Sequence, residues 1–350
     1  MPVDRIRFGI VGTGIMARIH AAVLSSYHRS EVVAWAGSSA ATADLSEFGP
    51  ARTYATAAEL AQDPDVDAVL IATPDFAHTE PALAAVAAGK HVLIEKPLAT
   101  SAADAVSIRD AVERAGVTAM TLFNHRWVPA YWQAKERIAG GDVGEPILAY
   151  ARKNDTIVVP TEMIGWAAQT TPAWFLSSHD IDLVCWYFGS EPVDVAATAV
   201  SKVLRGRGIG TPDAIQAQVR FDDGSVATFE ACWTYPNTFP TMTDSFVELI
   251  FERAVIHLDR KREQLEIATE DRFEYPRNLL VNRVGGSPGG SATAAVRHFA
   301  DAVLDGVPPL VSLSSSVRVT RILEAIHRSC AEEGAPVRID KEDAHESLQI

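Results

Sequence analysis

The first residues that could bind a ligand form a glycine-rich turn near the start of the chain. Gly12 and Gly14 follow a short apolar run and precede a helical pattern, in the string GTGIMA. In a G-x-G-x-x-A turn, the first glycine permits the bend, the second lets a pyrophosphate approach the backbone, and the helix amino terminus supplies positive potential. An ordinary structural turn is the alternative for so short a string. The position between strand and helix favours dinucleotide binding, with contacts from Gly12, Gly14, Ile15 and Met16.

The second predicted strand ends without the acid that would grip the ribose of NAD. It is followed by Gly37, Ser38 and Ser39. A missing carboxylate removes repulsion against a 2′-phosphate, and either serine could donate to ribose or phosphate. Arg18 and Arg52 could assist NADP, although a solvated surface position is the alternative for both. The sequence therefore predicts NAD or NADP, with NADP only slightly favoured, and Ser38 and Ser39 as contacts.

A lysine stands at the carboxyl end of another predicted strand. The run His91 to Ile94 is followed by Glu95, Lys96 and Pro97. Doubly wound sheets bind their ligands at this end of their strands. The position therefore favours a functional Lys96 over the alternative, an ordinary surface lysine.

A histidine that could transfer a proton opens a helix predicted after Ser178. Ser177 and Asp180 have the spacing of a capping box, which would place His179 in the first helical turn. A helix amino terminus disfavours the imidazolium form and so leaves a neutral base near physiological pH. A core histidine bonded to the backbone is the alternative. Asp182, three residues further on the same face, could orient the imidazole or the substrate, or could be a plain first-turn acid.

Four further residues are candidates for lining a substrate pocket. Aromatic faces suit the apolar side of a sugar ring, and a guanidinium could hold a carboxylate or a pair of hydroxyls. Core packing for the tryptophans, and an ion pair at the domain junction for the arginine, are the alternatives. The candidates are Asn124, Arg126, Trp166 and Trp174.

The elements that must position these residues alternate between short apolar runs and helical patterns in the first third of the chain. Continuously apolar runs separated by Ala-rich helices are typical of a parallel sheet covered on both faces. We therefore predict an α/β fold with a doubly wound Rossmann domain over residues 1–123. Its predicted strands are Ile6 to Val11, Val32 to Ala36, Val66 to Ala72, His91 to Ile94 and Val117 to Phe123, and its predicted helices are Ile15 to Ser26, Glu80 to Ala88 and Ala102 to Ala115.

The remaining residues have the pattern of a second, larger domain. Two alternating runs flank an Asp-Gly turn at Asp223 and Gly224, a strong hairpin signal. Over residues 124–350 we predict an α+β domain with a large, mostly antiparallel open sheet, helices on one face, and a loop at Gly285 to Ser291. The other predicted strands are Ile147 to Arg152, Phe246 to Phe251, Val255 to Leu258 and Gln264 to Ala268, and the other helices are Ala130 to Ile138, Thr293 to Leu304 and Ser315 to Ala331.

Composition narrows the classes of function. The 350 residues include 31 Lys and Arg against 45 Asp and Glu, a net charge of −14, which argues against nucleic-acid and anionic-membrane partners. The amino terminus leads into an apolar segment too short for a signal sequence, and no stretch is long enough to span a membrane. The three cysteines lie far apart and form neither a disulfide framework nor a C-x-x-C site, which fits a reducing cytoplasm. No spacing of His, Cys and acids predicts a metal site.

Together these motifs resemble the Gfo/Idh/MocA oxidoreductase family, and the resemblance covers almost the whole chain. Its most specific part is Glu95-Lys96-Pro97. The other matching parts are the turn at Gly12, Ala72-Thr73-Pro74 followed by His78, the string NHRWVP over residues 124–129, the segment Gly140 to Pro146, and the helix opening at His179 to Asp182.

The resemblance implies an NAD(P)-dependent oxidoreductase that transfers a hydride between nicotinamide and a carbinol or ketone carbon of a sugar, cyclitol or related polyol. It implies that Lys96 is catalytic, near the nicotinamide and the substrate hydroxyl, and that His179 transfers the proton; Asp182 is a third catalytic candidate. A homodimer or homotetramer formed through the carboxy-terminal sheet is the expected assembly. The further cofactor contacts would be Thr73, Pro74, His78, Glu95 and Lys96, and Lys96 and His179 would also bind substrate.

One position departs from the family pattern. Many dehydrogenases of the family have an Asp four residues before the histidine, as in D-x-G-x-H, whereas this chain has Phe175 there. A phenyl ring cannot bond a sugar hydroxyl. Either a second carboxylate comes from elsewhere, or Lys96 and His179 act alone, or the chemistry differs. Two alternatives therefore stand beside the dehydrogenase: an NAD-dependent, redox-neutral glycosidase or lyase of the same family, and a non-enzymatic dinucleotide-dependent sensor.

Overall fold

The chain, described over residues 5–339 by a computed structural model, begins with a six-stranded parallel sheet. Its strands are β1 (Ile6–Val11), β2 (Ser30–Ala36), β3 (Arg52–Tyr54), β4 (Ala68–Ile71), β5 (His91–Ile94) and β6 (Ala119–Thr121). They lie in the order β3-β2-β1-β4-β5-β6, so the strand order reverses between β1 and β4. Ligands of such sheets bind at the carboxyl ends of the strands beside this switch point. The predicted doubly wound Rossmann architecture is confirmed.

Four helices connect and cover these strands: α1 (Ile15–Ser26), α2 (Ala57–Ala61), α3 (Thr79–Ala87) and α4 (Ala102–Ala115). β3 and α2 were not predicted, because three and five residues are too few to show a period. α2 begins with a capping box made by Thr56 and Glu59. α4 ends at Gly116, whose φ of +66° is the left-handed conformation that glycine adopts freely.

A seven-stranded sheet dominates the rest of the chain, in the order β12-β11-β7-β10-β9-β8-β17. All neighbouring strands are antiparallel except β7 and β10, which are parallel at the centre. The predicted hairpin at the Asp-Gly turn joins β9 to β10, and the mostly antiparallel sheet is confirmed. Its strands are β7 (Pro146–Thr156), β8 (Pro192–Val200), β9 (Ala214–Phe221), β10 (Val226–Tyr235), β11 (Thr243–Phe251), β12 (Ala254–Asp259) and β17 (Val337–Arg338).

Two small hairpins lie between β12 and the last helices. They are β13 (Ile267–Ala268) with β14 (Phe273–Glu274), and β15 (Asn282–Val284) with β16 (Ser287–Gly289). The strand predicted at Gln264 to Ala268 shortens to β13, because Glu263 and Gln264 have positive φ angles of 41° and 67°. The loop predicted at Gly285 to Ser291 is also wrong, since it contains β16 and the first residue of a helix.

Helices cover one face of the seven-stranded sheet and leave the other uncovered. Side chains alternate along β9 between buried and exposed positions, as a sheet with one covered face requires. The helices of this part are α5 (Pro129–Ala139), α6 (Ser178–Phe188), α7 (Val203–Gly206), α8 (Ser291–Asp305) and α9 (Leu313–Ala331).

The last helix contacts both parts of the chain. α9 packs against β8 of the second sheet and against α4 of the first part. Leu313 and Val317 belong to the apolar core on the α3 and α4 side of the first sheet, whereas Val319 and Ile322 belong to the core beneath the second. The division of the chain after residue 123 stays a prediction. Residues 1–4 and 340–350 of the two predicted domains lie outside the described residues.

Two features of residues 5–339 bear on the predicted partners. No helix in this range is long and apolar enough to cross a membrane. No group of three or more His, Cys, Asp and Glu side chains in the same range could hold a metal ion.

Candidate active site

The glycine turn joins the carboxyl end of β1 to α1. Gly12 has a φ of +106°, and a Cβ there would stand 2.6 Å from the carbonyl oxygen of Ala72, so only glycine fits. A Cβ on Gly14 would meet nothing within 4 Å, which leaves open space beside the turn. No side chain in the described part caps α1, so its first N–H groups are available to a phosphate, next to exposed Ile15. The turn fits a dinucleotide pyrophosphate.

Ser38 and Ser39 are exposed immediately beyond the end of β2, the strand next to the turn. Arg52 is directed elsewhere, since its guanidinium pairs with Asp63 at 2.8 Å and Asp65 at 2.7 Å. The residues immediately beyond β2 thus offer two hydroxyl groups and no carboxylate, which is compatible with either NAD or NADP.

Buried polar contacts hold the loop after β4. The ring nitrogens of His78 lie 2.7 Å from the Pro97 carbonyl oxygen and 3.2 Å from that of Thr73, so this side chain joins the loops after β4 and β5. Asp75 accepts a hydrogen bond from the hydroxyl of Thr170, in the second part of the chain. Burial raises the pKa of Asp75.

Lys96 extends from the end of β5 toward the second part of the chain. Its Nζ donates to the carbonyl oxygen of Phe175 at 2.7 Å and lies 4.4 Å from the centroid of the phenyl ring. Below it, Glu95 contacts the buried His20 at 2.6 Å and accepts a hydrogen bond from the Lys96 backbone N–H at 3.1 Å. Glu95 therefore fixes the backbone of the lysine, while the ammonium group contacts Phe175.

The surroundings of Lys96 shift the pKa of its ammonium group. Burial lowers the pKa of Lys96 below its ordinary value of 10.5, and the carboxylates of Glu95, Asp75 and Asp155 partly oppose the shift. The shift brings titration of the ammonium nearer to neutral pH.

His179 lies in the first turn of α6, as predicted, but for another reason. A π-helical turn, Ala173–Ser177, runs directly into α6, so Ser177 is already helical at φ −65° and ψ −22° and its side chain caps nothing. Asp180 instead forms a buried ion pair with Lys153. The predicted capping box is therefore wrong, whereas the position of His179 is confirmed.

The imidazole of His179 is buried against a second imidazole. The two ring centroids, of His179 and His125, are 4.0 Å apart, and Nδ1 of His179 has no hydrogen-bond partner among the described residues. Burial is the main cause that holds the pKa of His179 well below 6.5, so the ring is neutral at physiological pH. Four nearby cations lower it further: Lys96, Lys153, Arg260 and Arg277.

A carboxylate that the sequence analysis missed lies on β7. Asp155 accepts a hydrogen bond from the Thr243 hydroxyl at 2.5 Å, and that hydroxyl accepts one from Nη1 of Arg277 at 3.2 Å. Burial raises the pKa of Asp155. The negative charge of Asp155 partly opposes the lowering of the pKa of Lys96, so this carboxylate acts on the ammonium group from the second sheet.

The sequence contained a signal for this carboxylate. Successive side chains of a strand point to opposite faces, so Lys153 and Asp155 continue the buried face that Ala149 and Ala151 begin. Charges on an otherwise apolar, buried face are costly unless paired or functional. Arg277 offered no such signal, because it follows β14 in a segment without a period.

Two of the predicted site residues form a buried ion pair with each other. Arg126 donates to both carboxylate oxygens of Asp182, at 2.9 and 2.6 Å, and both side chains are buried. The substrate role of Arg126 and the catalytic role of Asp182 stay predictions.

Two further predicted pocket residues contact histidines. Trp174 is 7% exposed and stacks on His327, with ring centroids 4.9 Å apart. The side-chain oxygen of Asn124 lies 2.9 Å from Nδ1 of His125, within hydrogen-bond distance. The substrate roles of Trp174 and Asn124 also stay predictions.

Three kinds of group therefore interact across the two parts of the chain. Lys96 supplies a cation, His179 a neutral imidazole, and Asp155 a carboxylate. A neutral imidazole can accept a proton from a hydroxyl, and a cation in a site with little water stabilises the alkoxide that results.

Comparisons with known proteins agree with this arrangement. The profile of the Gfo/Idh/MocA oxidoreductase family, NAD-binding Rossmann fold, matches residues 6–123, and the profile of its C-terminal alpha/beta domain matches residues 135–339. The 1,5-anhydro-D-fructose reductase of Ensifer adhaerens is 32% identical over 235 residues, which are 65% of this chain and 69% of that protein. The D-xylose 1-dehydrogenase (NADP(+)) 2 of Haloferax volcanii is 28% identical over 343 residues, 95% of this chain and 99% of that protein.

A solved structure shares the fold. The scyllo-inositol dehydrogenase of Lactobacillus casei, with bound NAD(H) and scyllo-inositol, superposes with a TM-score of 0.82 at 19% identity, over 96% of this chain and 99% of that one. The two family profiles together span both sheets and the segments that carry Lys96, Asp155 and His179. The chain belongs to the Gfo/Idh/MocA family of NAD-binding oxidoreductases.

Proposed function

We propose that this oxidoreductase transfers a hydride between NAD or NADP and a carbinol or ketone carbon of a sugar, cyclitol or related polyol. One observation carries the proposal. The ammonium of Lys96 leaves a loop of the Rossmann sheet and meets the Phe175 carbonyl of the second part, so it lies where a cofactor and a substrate would converge. The neutral His179 and the carboxylate of Asp155 support the same site.

The proton and the charge are handled by different residues. A bound nicotinamide dinucleotide accepts or returns the hydride. In oxidation, the substrate O–H bond breaks and Nε2 of His179, the ring nitrogen opposite the buried Nδ1, takes the proton. Lys96 holds the substrate oxygen and stabilises its negative charge while the C–H bond breaks. In reduction, the same imidazole returns the proton.

Asp155 is proposed as the carboxylate that the family pattern would place at position 175. One of its oxygens is held by Thr243, and the group lies on the buried face of β7 toward Lys96. It would accept a hydrogen bond from a second substrate hydroxyl. We propose that Asp182 holds Arg126 in place and does not transfer a proton, since both of its oxygens face that guanidinium.

The names of relatives support a substrate class without choosing a member. They include an anhydro-sugar reductase, a sugar dehydrogenase named for NADP and an inositol dehydrogenase bound to NAD(H). All three names describe net redox chemistry, which does not favour the redox-neutral or sensor alternatives. We also propose that the reaction takes place in the cytoplasm, where free thiols such as those of the three cysteines persist.

The test is the formation of reduced cofactor by the wild type and by Lys96→Met. Each protein is assayed with NAD and NADP against a panel of sugars, cyclitols and sugar acids. Turnover of the variant should be abolished, because the substrate alkoxide loses its cation, while cofactor binding, followed by fluorescence titration, should be retained. Turnover by the variant at the wild-type rate would contradict the assignment of Lys96.

A further inference from the structure

Three aromatic side chains form a continuous surface beside the proposed site. Phe76, Trp166 and Phe175, here called the aromatic shelf, come from the loop after β4, the segment after β7 and the turn before α6. Trp166 meets Phe76 edge to face at 6.1 Å between ring centroids, and meets Phe175 at 6.0 Å. Phe76 is 39% exposed, and the other two rings are half-buried. An apolar surface of this kind remains open to a ligand.

Packing and hydrogen bonds to neighbouring segments fix the aromatic shelf in place. Phe175 contacts the buried Trp233, with ring centroids 6.1 Å apart, and packs on a small apolar core built around that tryptophan. The Thr170 hydroxyl donates to Asp75, and the Thr170 carbonyl accepts from Thr211, which ties the segment that carries Trp166 to both of its neighbours. The exposed rings therefore belong to a fixed surface.

The shelf begins at the lysine proposed to hold the reacting oxygen. The ring of Phe175 lies 4.4 Å from the Lys96 ammonium. A sugar hydroxyl placed over this ring would lose its hydrogen bonds to water without replacement, and that loss disfavours binding. An apolar group placed there would gain burial and ring contacts. The part of the substrate next to its reacting carbon should therefore be apolar on the side facing the shelf.

Resting on the proposed function, we propose that the shelf binds an aromatic substituent of the substrate, so that the preferred substrate is an aryl glycoside rather than a free sugar or cyclitol. The glycone presents its hydroxyls to Lys96, His179 and Asp155. The aryl group lies along Phe175 and Trp166. Phe175, in place of an acid, is thus a specificity-determining residue.

The experiment compares matched glycosides that differ only in the aglycone. Phenyl and methyl β-D-glucopyranosides, and the corresponding galactosides and xylosides, are assayed with NAD and NADP beside the free sugars. The kcat/KM of the phenyl glycoside should exceed that of the methyl glycoside by about tenfold or more in the wild type. One aromatic contact, together with the burial of the phenyl ring, is enough for a factor of ten. In Trp166→Ala the ratio should fall toward one.

Trp132→Ala is the matched control. Trp132 is 40% exposed and lies on α5, where it contacts Trp186 and not the shelf. This variant should keep the wild-type ratio, which separates loss of the shelf from general loss of a surface tryptophan.

Other outcomes would overturn the inference and leave the proposed function standing. Turnover of free sugars with a phenyl to methyl ratio near one would do so. A higher KM for the cofactor in Trp166→Ala, with an unchanged phenyl to methyl ratio of kcat/KM, would assign the shelf to cofactor binding. If no compound is turned over, the proposed function fails on this panel. The role of the shelf is then tested by binding of the phenyl and methyl glycosides to the complex of the protein with NADH. Preferential binding of the phenyl compound supports the inference, and equal binding overturns it.

Discussion

At the scale of single residues, burial decides which groups of the site carry charge. Both Lys96 and His179 have a pKa below the ordinary value, but the consequences are opposite. A lowered pKa leaves His179 able to accept a proton at physiological pH, whereas it brings Lys96 closer to losing the charge on which the proposed alkoxide stabilisation depends. The two groups therefore set different limits on activity.

The pH profile of alcohol oxidation should show this asymmetry. Activity should not fall between pH 8 and about pH 6.5, because the pKa of His179 lies well below 6.5. It should fall on the alkaline side, at a pH below 10.5, as Lys96 loses its proton. In Lys96→Arg, whose guanidinium stays charged, the alkaline fall should move to higher pH whatever the absolute rate. An increase in rate through the alkaline range would instead make Lys96 the base.

Lys96 and His179 could be predicted from the sequence because each follows a local rule: one ends an apolar run, and the other begins a helix. Their partners could not. The carbonyl of Phe175 faces Lys96 because a π-helical turn directs it there, and no residue pattern marks such a turn. The contact of His125 with His179 joins segments 54 positions apart, and Asp155 enters the site only through the register of the second sheet.

At the scale of elements, the two glycines of the turn have different roles, one in the backbone conformation and one in leaving space for a ligand. Gly12 is required by the backbone, whereas Gly14, at φ −72°, is in a conformation open to any residue. The space that Gly14 leaves empty serves the ligand and not the fold.

Substitutions in the turn should separate stability from cofactor binding. Gly12→Ala should destabilise the protein by about 1–3 kcal/mol, because its positive φ strains a side chain that also meets the Ala72 carbonyl. Gly14→Ala should leave the midpoint of thermal unfolding unchanged and weaken NAD binding in a fluorescence titration, because the methyl group enters the phosphate space. Equal cofactor affinity in Gly14→Ala and the wild type would show that the pyrophosphate binds elsewhere.

The buried ion pair between α6 and the segment before α5 makes a second prediction at this scale. Asp182→Asn leaves Arg126 buried without its charge partner and should lower the free energy of unfolding in urea by about 3–5 kcal/mol. The double variant Arg126→Met with Asp182→Leu should cost less than the single one, since it leaves no unpaired charge. A double variant that is less stable than Asp182→Asn would argue for a larger role of the pair in the site.

Long, periodic elements followed from the sequence, and short ones did not. β1, α1 and α4 have the predicted bounds, because their apolar patterns repeat over several residues and a glycine or serine marks an end; the four-residue β5 is an exception, predicted from its apolar run. The hairpins after β12 have too few residues for a pattern. The parallel pairing of β7 with β10 depends on contacts between strands that are far apart in the chain.

At the scale of the whole molecule, one face of the seven-stranded sheet has no covering layer in the described chain. Tyr150, Thr228 and Gln218 lie side by side across its three central strands. Leu148, Ile250 and Val255 continue the same face toward one edge, and Val255, at 60% exposure, adds apolar area there. A face of this composition is suited to contact with a second copy of itself.

We therefore expect a homodimer or homotetramer that buries this face, measured as molar mass by light scattering. Thr228→Arg, at the centre of the face, should reduce the mass by at least one step of assembly, because two charged side chains would meet across a symmetric interface. Ser107→Arg, on the exposed side of α4, should not change it. A wild-type monomer would contradict the expectation outright.

The dual contacts of α9 bear on how the chain acquires its structure during synthesis. The ribosome releases the Rossmann sheet long before it releases the helix that covers α4 and completes that part of its apolar surface. The nascent sheet must therefore wait with this surface open to solvent or to a chaperone. The final packing of this surface is delayed until the second sheet and α9 have also emerged, so the two parts of the chain should reach their native packing together.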